Sequence, residues 1–350
     1  MPDEHSKEKR ITIKDIARLS GYSKTAVSFA FNDPSRISAK ACATILQVAQ
    51  EVGYYPNPLA RNFSLQSHQS IGFLLPQDIN YSFRNPYIME VLLGIGAVCQ
   101  KNGNTLTLIP PLHESVVEAV RCAAVDGLIT QGMGTEMEVF DLLLKRKLPF
   151  VTIDGGLSTQ IPSVNVNDEQ AAYDIMRLVL AAGHRRIAIG GLLEVIDEHS
   201  ASQSIQSTRL AGYVKALQEY GLNLSSPTII IHTCACTIEE GRHLASILLN
   251  AKQRPTCVVT MSDIVAIGAI LAFKEHHIAV PDDISVVGFD NIPESAYHLP
   301  SLTTVDQPGE EKGRQAAQLL FSLIHKEEIV ERHIQIPYRI IERESLKNIS

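Results

Sequence analysis

From residue 70 onward, short apolar strands alternate with amphipathic helices along the chain. In the first series, strands are predicted over residues 71–75, 105–109, 127–130 and 150–153, with helices near 86–101, 114–125 and 136–147. Repeated strand–helix–strand units require parallel sheets that are covered by helices on both faces. This alternation therefore predicts a doubly covered α/β lobe.

A second series of the same kind follows. Its strands are predicted over 187–190, 228–232, 257–260 and 284–289, its helices near 168–182, 209–220, 238–250 and 263–276, and a last strand over 333–337. Two parallel-sheet lobes of about 120–150 residues each fit the length that remains after the first seventy residues.

The residues before this body predict three short amphipathic helices. Thr12 is placed to cap the first helix, which Gly21 ends, and Ser23 is placed to cap the second. The third begins near Ser38 and ends at Gly53. Its predicted inward stripe is Cys42, Ile45, Leu46, Ala49 and Val52.

The second of these helices has two distinct faces. Val27, Ala30 and Phe31 are predicted to pack inward, while an outward group lies toward the helix N-terminus. The outward residues are Lys24, Thr25, Ser28 and Phe29. In helix-turn-helix proteins this end of the second helix enters the major groove of DNA. A small helical bundle without any DNA role remains the alternative at this point.

Charge is distributed unevenly along the chain. The segment from Lys9 to Arg61 has eight Lys and Arg against three acids and so carries +5, whereas the whole chain carries −7. The rest of the chain therefore carries −12. A basic head on an acidic body is expected when only one end of a protein contacts phosphates.

Two proline pairs, Tyr55-Pro56 and Asn57-Pro58, follow the three helices. Each proline favours an extended conformation at the residue before it, and Pro58 is suited to the first position of a short helix over 59–65. A helix this short is marginal alone, so we expect it to be ordered only when something holds it.

Other motifs exclude several classes of protein. The six scattered cysteines indicate reduced thiols, and the absence of an apolar leader or a long apolar segment predicts a cytoplasmic protein with no membrane role. No phosphate loop and no nucleophile with a partnered base is evident, so neither an enzyme nor a cofactor is expected. His232, Cys234 and Cys236 lack a second ligand pair, so no metal is expected either.

Together these residues resemble the lactose repressor/galactose repressor (LacI/GalR) family of bacterial transcriptional regulators. The matching stretches are Thr12-Ile-Lys-Asp-Ile-Ala, Ser23-Lys-Thr-Ala-Val-Ser, Val52-Gly-Tyr-Tyr-Pro-Asn-Pro-Leu-Ala-Arg, Ile71-Gly-Phe-Leu-Leu-Pro, Asn85-Pro-Tyr, Val125-Asp-Gly-Leu-Ile, Gly183-His-Arg-Arg-Ile-Ala, Arg209-Leu-Ala-Gly-Tyr, Pro281-Asp-Asp-Ile-Ser-Val-Val-Gly-Phe-Asp and Leu302-Thr-Thr-Val-Asp-Gln-Pro. They cover nearly the whole chain in the order in which the family has them.

The resemblance implies a helix-turn-helix head over 1–57 and a hinge helix with linker over 58–69. The body is then two Rossmann-like parallel-sheet lobes of periplasmic-binding-protein type I architecture. Residues 70–168 and 304–332 are expected to form the N-terminal lobe, and 169–303 and 333–350 the C-terminal lobe.

The resemblance also implies which residues contact DNA. By this resemblance the second helix would read bases, and Phe63 would be the apolar wedge that enters the minor groove; packing of Phe63 against the body is the alternative. Phe29 stands where the family often has Arg, and Phe63 where it usually has Leu, so the preferred operator sequence stays open. The expected contacts are Thr12, Ser23, Lys24, Thr25, Ser28, Phe29, Asn32, Tyr54, Asn57, Leu59, Ala60, Arg61 and Phe63.

An effector site is expected at the carboxyl ends of the parallel strands, where ligands of such folds bind. Asp154, Ser262 and Asp290 each follow a predicted strand, and carboxylates suit polyhydroxylated ligands, whereas Asp263 is expected to cap its helix. The resemblance adds Tyr87, Ile88, Gln203, Ile205, Arg209 and Cys236 to this set. Many relatives have an aromatic residue at the position where this chain has Cys236.

The function implied by the resemblance is that of a homodimeric repressor. It would bind a pseudo-palindromic double-stranded DNA operator, with its affinity switched by a small metabolite, a sugar or sugar derivative, bound between the lobes. The alternative is a soluble sugar-binding or sugar-modifying protein without a DNA role.

Overall fold

A computed structural model describes residues 11–56, 67–133, 138–155, 160–192 and 204–350. The chain divides into two compact units, a head that ends at His68 and a body that begins at Gln69. The predicted hinge helix over 59–65 lies outside the described residues.

The head contains the three predicted helices, α1 (Ile13–Ser20), α2 (Lys24–Asn32) and α3 (Ala39–Glu51). At the start of α1, the backbone N and Oγ1 of Thr12 donate to the Asp15 carboxylate at 3.0 and 2.7 Å. Gly21, with φ of +75°, ends the helix in the left-handed region that glycine adopts without strain. Ser23 then caps α2 by accepting from the backbone N of Ala26.

The head core is made by one face of each helix. Ile16, Val27, Ala30, Ile45 and Ala49 are its buried members. The prediction that Leu46 belongs to this inward stripe is wrong, because its side chain is 40% exposed. Successive residues of an α-helix are rotated by about 100° around its axis, so Leu46 points away from the direction of the buried Ile45. It therefore lies outside the one face of α3 that the three-helix unit buries.

The body contains two series of strands and helices. In the first, the elements are β1 (Ser70–Leu74), α4 (Ile79–Arg84), α5 (Pro86–Lys101), β2 (Thr105–Ile109), α6 (Val116–Cys122), β3 (Gly127–Gln131), α7 (Glu138–Arg146), β4 (Phe150–Ile153) and β5 (Ser163–Asn165). In the second, they are α8 (Asp168–Ala181), β6 (Ile187–Leu192), α9 (Ile205–Glu219), β7 (Ile229–Cys234), α10 (Ile238–Leu249), β8 (Cys257–Thr260), α11 (Asp263–Glu275), β9 (Ser285–Val287), α12 (Pro293–Tyr297) and β10 (Thr304–Asp306). The chain ends with α13 (Gly309–His325), β11 (His333–Gln335) and β12 (Arg339–Ile341).

Two parallel sheets define the two lobes. The first lobe has the strand order β11-β5-β4-β3-β1-β2, and the second has β7-β6-β8-β9. The inner strands β1, β3, β4, β6 and β8 are rich in fully buried Ile, Val and Leu, as expected when helices cover both faces of a sheet. The predicted fold class is therefore observed.

The assignment of the last segments to the lobes needs a correction. β11 pairs in parallel with β5 and so extends the first sheet, although 333–350 was predicted to belong to the second lobe. β10 pairs with β12, and its Val305 is buried in the core of the second lobe, although 304–332 was predicted to belong to the first. The strand partners, which are far apart in sequence, decide the lobe for these three-residue strands.

Helices α5 and α13 approach each other closely in the first lobe. Gly94 and Gly313 lie at the crossing, where a β-carbon on either would overlap a backbone carbonyl oxygen of the facing helix. This close approach places Tyr87 of α5 opposite Lys312 of α13.

Two further features bear on the class of protein. No helix among the described ranges has the length and apolar character that crossing a bilayer requires. All six cysteines are free thiols; four are buried, and Cys122 is exposed rather than part of the core.

Candidate functional site

A cavity of about 170 Å³ lies between the two lobes of the body. This volume admits a small organic molecule rather than a single water. Eight of the nine residues predicted for the effector site line it, namely Tyr87, Ile88, Asp154, Ile205, Arg209, Cys236, Ser262 and Asp290. The ninth, Gln203, lies outside the described residues.

On the first-lobe side, a fully buried lysine organises the cavity wall. The ammonium of Lys312 donates to the Asp154 carboxylate, to Tyr87 Oη at 2.9 Å and to Gln307 Oε1 at 2.7 Å. The Tyr87 hydroxyl donates to the second oxygen of Asp154 at 2.8 Å. Burial, and then the Asp154 charge, raise the pKa of Tyr87. Both Asp154 oxygens are therefore engaged by the protein itself.

Gln307 connects this cluster to the second lobe. Its Nε2 donates to Asp290 Oδ1, while Ser262 Oγ donates to Asp290 Oδ2 at 3.0 Å. A continuous hydrogen-bonded chain thus runs from Tyr87 and Asp154 through Lys312 and Gln307 to Asp290. A change in the separation of the lobes must lengthen or break it.

Arg209 is held by its own lobe. Its Nε donates to Asp168 Oδ1 at 2.8 Å, its Nη1 donates to the Met261 carbonyl at 2.8 Å, and its guanidinium lies 3.6 Å above the centre of the Phe289 ring. Helix α9 begins four residues earlier than predicted, so Arg209 lies in its second turn rather than at its start. These contacts fix the guanidinium at the cavity wall.

A second contact between the lobes involves Tyr81, which was not among the predicted effector residues. The backbone N of Cys236 donates to Tyr81 Oη at 2.9 Å. Burial raises the pKa of the Tyr81 hydroxyl. An aromatic ring therefore does lie beside position 236, but α4 of the opposite lobe supplies it.

Two cavity-lining amides have acceptors that nothing in the described chain satisfies. Gln131 Oε1 and Gln206 Oε1 are buried without a hydrogen-bond partner among the described residues. Buried polar atoms are almost always paired, so these two oxygens are acceptors that a molecule in the cavity could satisfy. Gln131 ends β3, and the rule that selected Asp154 could have found it, because it too lies at the carboxyl end of a parallel strand.

Asp263 forms a buried acidic pair with Asp290 at the base of the second-lobe wall. It is not the helix cap that was predicted, because α11 begins at Asp263 and Ser262 holds the cap position. Its carboxylate accepts from Thr304 Oγ1 at 2.6 Å and from the backbone N of Ile292 at 3.1 Å. Burial raises the pKa of both carboxyls, and the neighbouring Asp290 charge raises that of Asp263 further.

We expect this pair to make the protein less stable as pH rises. A carboxyl whose pKa is higher in the folded than in the unfolded state binds its proton more tightly when folded. Its stabilising effect is complete below the unfolded pKa of about 4 and is lost as pH rises through the folded value. The thermal midpoint of the full chain, measured from pH 4 toward pH 8, should therefore fall less in Asp263→Asn than in the wild type.

The exposed carboxyl of Asp141 on α7 provides the matched control. Asp141→Asn should retain the wild-type pH dependence. Equal pH dependence in Asp263→Asn and the wild type would show that the buried pair does not titrate as argued.

In the head, the predicted base-reading residues lie on the outer part of α2. Lys24 and Thr25 are exposed, and Ser28 and Phe29 are half-buried. The guanidinium of Arg36 lies 4.5 Å above the centre of the Phe29 ring. A cation is therefore present beside the position where the family often has Arg, although a different residue carries it.

The other predicted DNA contacts have mixed settings. Thr12 and Ser23 hold helix starts, and Asn32 Nδ2 donates to Ser28 Oγ at 3.2 Å. The Tyr54 ring packs edge-on against Phe31 in the head core. Five predicted contacts lie outside the described residues, namely Asn57, Leu59, Ala60, Arg61 and Phe63.

Comparison with known proteins gives matches for both units. The family of bacterial regulatory proteins, lacI family, matches residues 12–57, and the periplasmic binding protein-like domain matches residues 176–346. The HTH-type transcriptional repressor PurR of Photobacterium profundum is 29% identical over 346 residues, covering 97% of this chain and 99% of that protein.

Two solved structures share the fold. The lac repressor dimer bound to operator and the anti-inducer ONPF is 23% identical, with a TM-score of 0.79 over 97% of this chain and all of that one. A LacI family transcriptional regulator from Enterococcus faecium with bound ribose is 25% identical, with a TM-score of 0.68 over 80% of this chain and all of that one.

Proposed function

The chain belongs to the LacI/GalR family of bacterial transcriptional regulators, and we propose that a sugar or sugar derivative bound between its lobes sets its affinity for operator DNA. It is a DNA-binding repressor regulated by a small molecule, not an enzyme. The observation that carries the proposal is the cavity between the lobes, which the predicted effector residues line.

The donor and acceptor pattern of the cavity supports a polyhydroxylated ligand. Gln131 Oε1 and Gln206 Oε1, which have no partner within the described ranges, can each accept a hydrogen bond from a ligand hydroxyl. Asp154 and Asp290 already accept hydrogen bonds from protein side chains. They therefore contribute negative charge to the cavity wall more than unoccupied hydrogen-bond acceptors. The relative from Enterococcus faecium has ribose bound, which is a ligand of this chemistry.

DNA binding would use the exposed N-terminal part of α2, with Lys24 and Thr25 facing base edges and Arg36 beside Phe29. We propose a homodimer on a pseudo-palindromic operator, because two heads that read inverted half-sites need two-fold symmetry. The protein would act in the cytoplasm, where the chromosome of a bacterium lies.

Regulation would follow from linkage between ligand and lobe arrangement. A ligand that prefers one arrangement shifts the population toward it, and DNA affinity changes by the same coupling free energy. The chain from Lys312 through Gln307 to Asp290, and the Tyr81–Cys236 contact, both join the lobes and would report on that arrangement.

Removal of residues 1–68 tests this function. We expect the remaining body to lose DNA binding, because the base-reading helix is gone, and to keep the rise in thermal midpoint that a bound sugar causes in the full chain. Fluorescence anisotropy with genomic operator fragments measures DNA binding. Thermal shift with a panel of sugars and nucleosides, ribose included, measures ligand binding.

The full chain provides the control. Its affinity for DNA should fall steeply with added salt, because phosphate contacts release counterions. Unchanged DNA binding by the truncated body would refute the repressor function, and no ligand response across the panel would refute the sugar proposal.

A further inference from the structure

We propose that the second lobe holds a transition-metal ion of the zinc class between His232, Cys234 and Glu240. The site would lie where β7, the edge strand of the second sheet, meets the start of α10. It is separate from the effector function, since none of the three residues lines the cavity between the lobes.

The topology brings the three side chains together. His232 and Cys234 are alternate residues of β7 and therefore point to the same face of the sheet. Helix α10 packs on that face, with Leu244 and Ala245 in one core cluster with Cys234. Glu240 lies in the first turn of α10 and completes the group.

The ligand atoms lie close enough to share one ion. One atom from each of the three side chains falls within 4.8 Å of the others. Zinc bonds of about 2.0–2.3 Å to N, O and S place ligand atoms somewhat under 4 Å apart in a tetrahedral site. Small side-chain rotations would therefore bring the three ligand atoms to coordination distance. Imidazole, thiolate and carboxylate together suit Zn²⁺ or Co²⁺ rather than Mg²⁺ or Ca²⁺.

The protein itself makes little use of these groups. Within the described ranges, the His232 imidazole and the Glu240 carboxylate form no hydrogen bond or ion pair, and the Cys234 thiol has only a 3.9 Å contact to the His232 carbonyl. A further imidazole lies next to them, since the His243 ring centre is 5.7 Å from that of His232. Glu240 and His243 are three apart on α10 and so share a helix face.

The sequence alone does not lead to this site. In the sequence, the candidate metal ligands were His232, Cys234 and Cys236. No second ligand pair follows them at a zinc-site spacing. The fold separates Cys236, which lines the cavity between the lobes, and replaces it with Glu240 from the next helix. The ligand set is therefore mixed and comes from two elements.

Cobalt titration of the chelator-treated full chain tests the proposal. We expect saturable binding of one Co²⁺ per chain, with the visible bands of tetrahedral cobalt and a near-ultraviolet thiolate-to-cobalt band, both removed by Zn²⁺. Cys234→Ser should lose the thiolate band, and Glu240→Gln should weaken binding at least tenfold. Cys122→Ser, at the exposed cysteine of α6, is the matched control and should keep both signals.

Glu240 is only partly buried, so its glutamine variant should fold even if Cys234→Ser does not. The absence of saturable cobalt binding would overturn the proposal. So would a thiolate band that survives in Cys234→Ser, or wild-type affinity in Glu240→Gln.

Discussion

Replacement of Lys312 with methionine is expected to destabilise the body by about 3–5 kcal/mol, the cost of breaking a buried ion pair from one side. Lys312 is fully buried and donates to Asp154, Tyr87 and Gln307. Methionine roughly matches its volume but leaves Asp154, which is only 5% exposed, without its counter-charge. The thermal midpoint, followed by circular dichroism without ligand, should fall by roughly 5–10 °C.

A double variant separates the lost charge from lost packing. Lys312→Met combined with Asp154→Asn should recover most of the stability, because no uncompensated charge then remains. Lys101→Met, at the exposed end of α5, is the matched control and should change stability by less than about 0.5 kcal/mol. If Lys312→Met behaves like Lys101→Met, the buried pair does not carry this stability.

The sequence predicts a helix or strand well when the residues within and beside that element determine it. Helix α5 and strand β8 have the predicted bounds, because their apolar periodicity and their Pro and polar neighbours define them locally. Strands β5, β10 and β12 have three residues each and were not predicted, since pairing with distant strands is what makes them strands. Helix α13 was not predicted either, and its lysine in an inward position obscures its apolar face.

The candidate site shows the same division. Eight predicted effector residues meet at one cavity, because a positional rule about strand ends, together with the family resemblance, selects them. Lys312, Gln307 and Tyr81 were missed for a physical reason. A lysine or glutamine side chain is usually exposed to solvent. Only partners far along the chain, such as Asp154, offset the desolvation cost of burying Lys312.

Substitution of Gly94 by alanine is expected to destabilise the body by about 2–3 kcal/mol, as overpacking of a tight contact does. The new β-carbon would overlap the Glu310 carbonyl oxygen and approach the Arg314 backbone N to 2.7 Å. Both obstacles are backbone atoms of α13, so no side-chain rotation relieves the clash and the two helices must move apart. That movement separates Tyr87 on α5 from Lys312 on α13 and distorts the first-lobe wall of the cavity.

Gly96 lies on the same helix, two residues after Gly94. Its alanine variant separates the backbone clash from the general effect of replacing a helical glycine with alanine. A β-carbon there meets nothing within 4 Å, so Gly96→Ala should stabilise the protein by about 0.5–1 kcal/mol through the better helix propensity of alanine. Thermal midpoints of the two variants should therefore move in opposite directions, and only Gly94→Ala should lose the midpoint shift that an effector sugar causes. Equal shifts in the two variants would mean that α5 and α13 tolerate separation and that the cavity wall does not depend on their close contact.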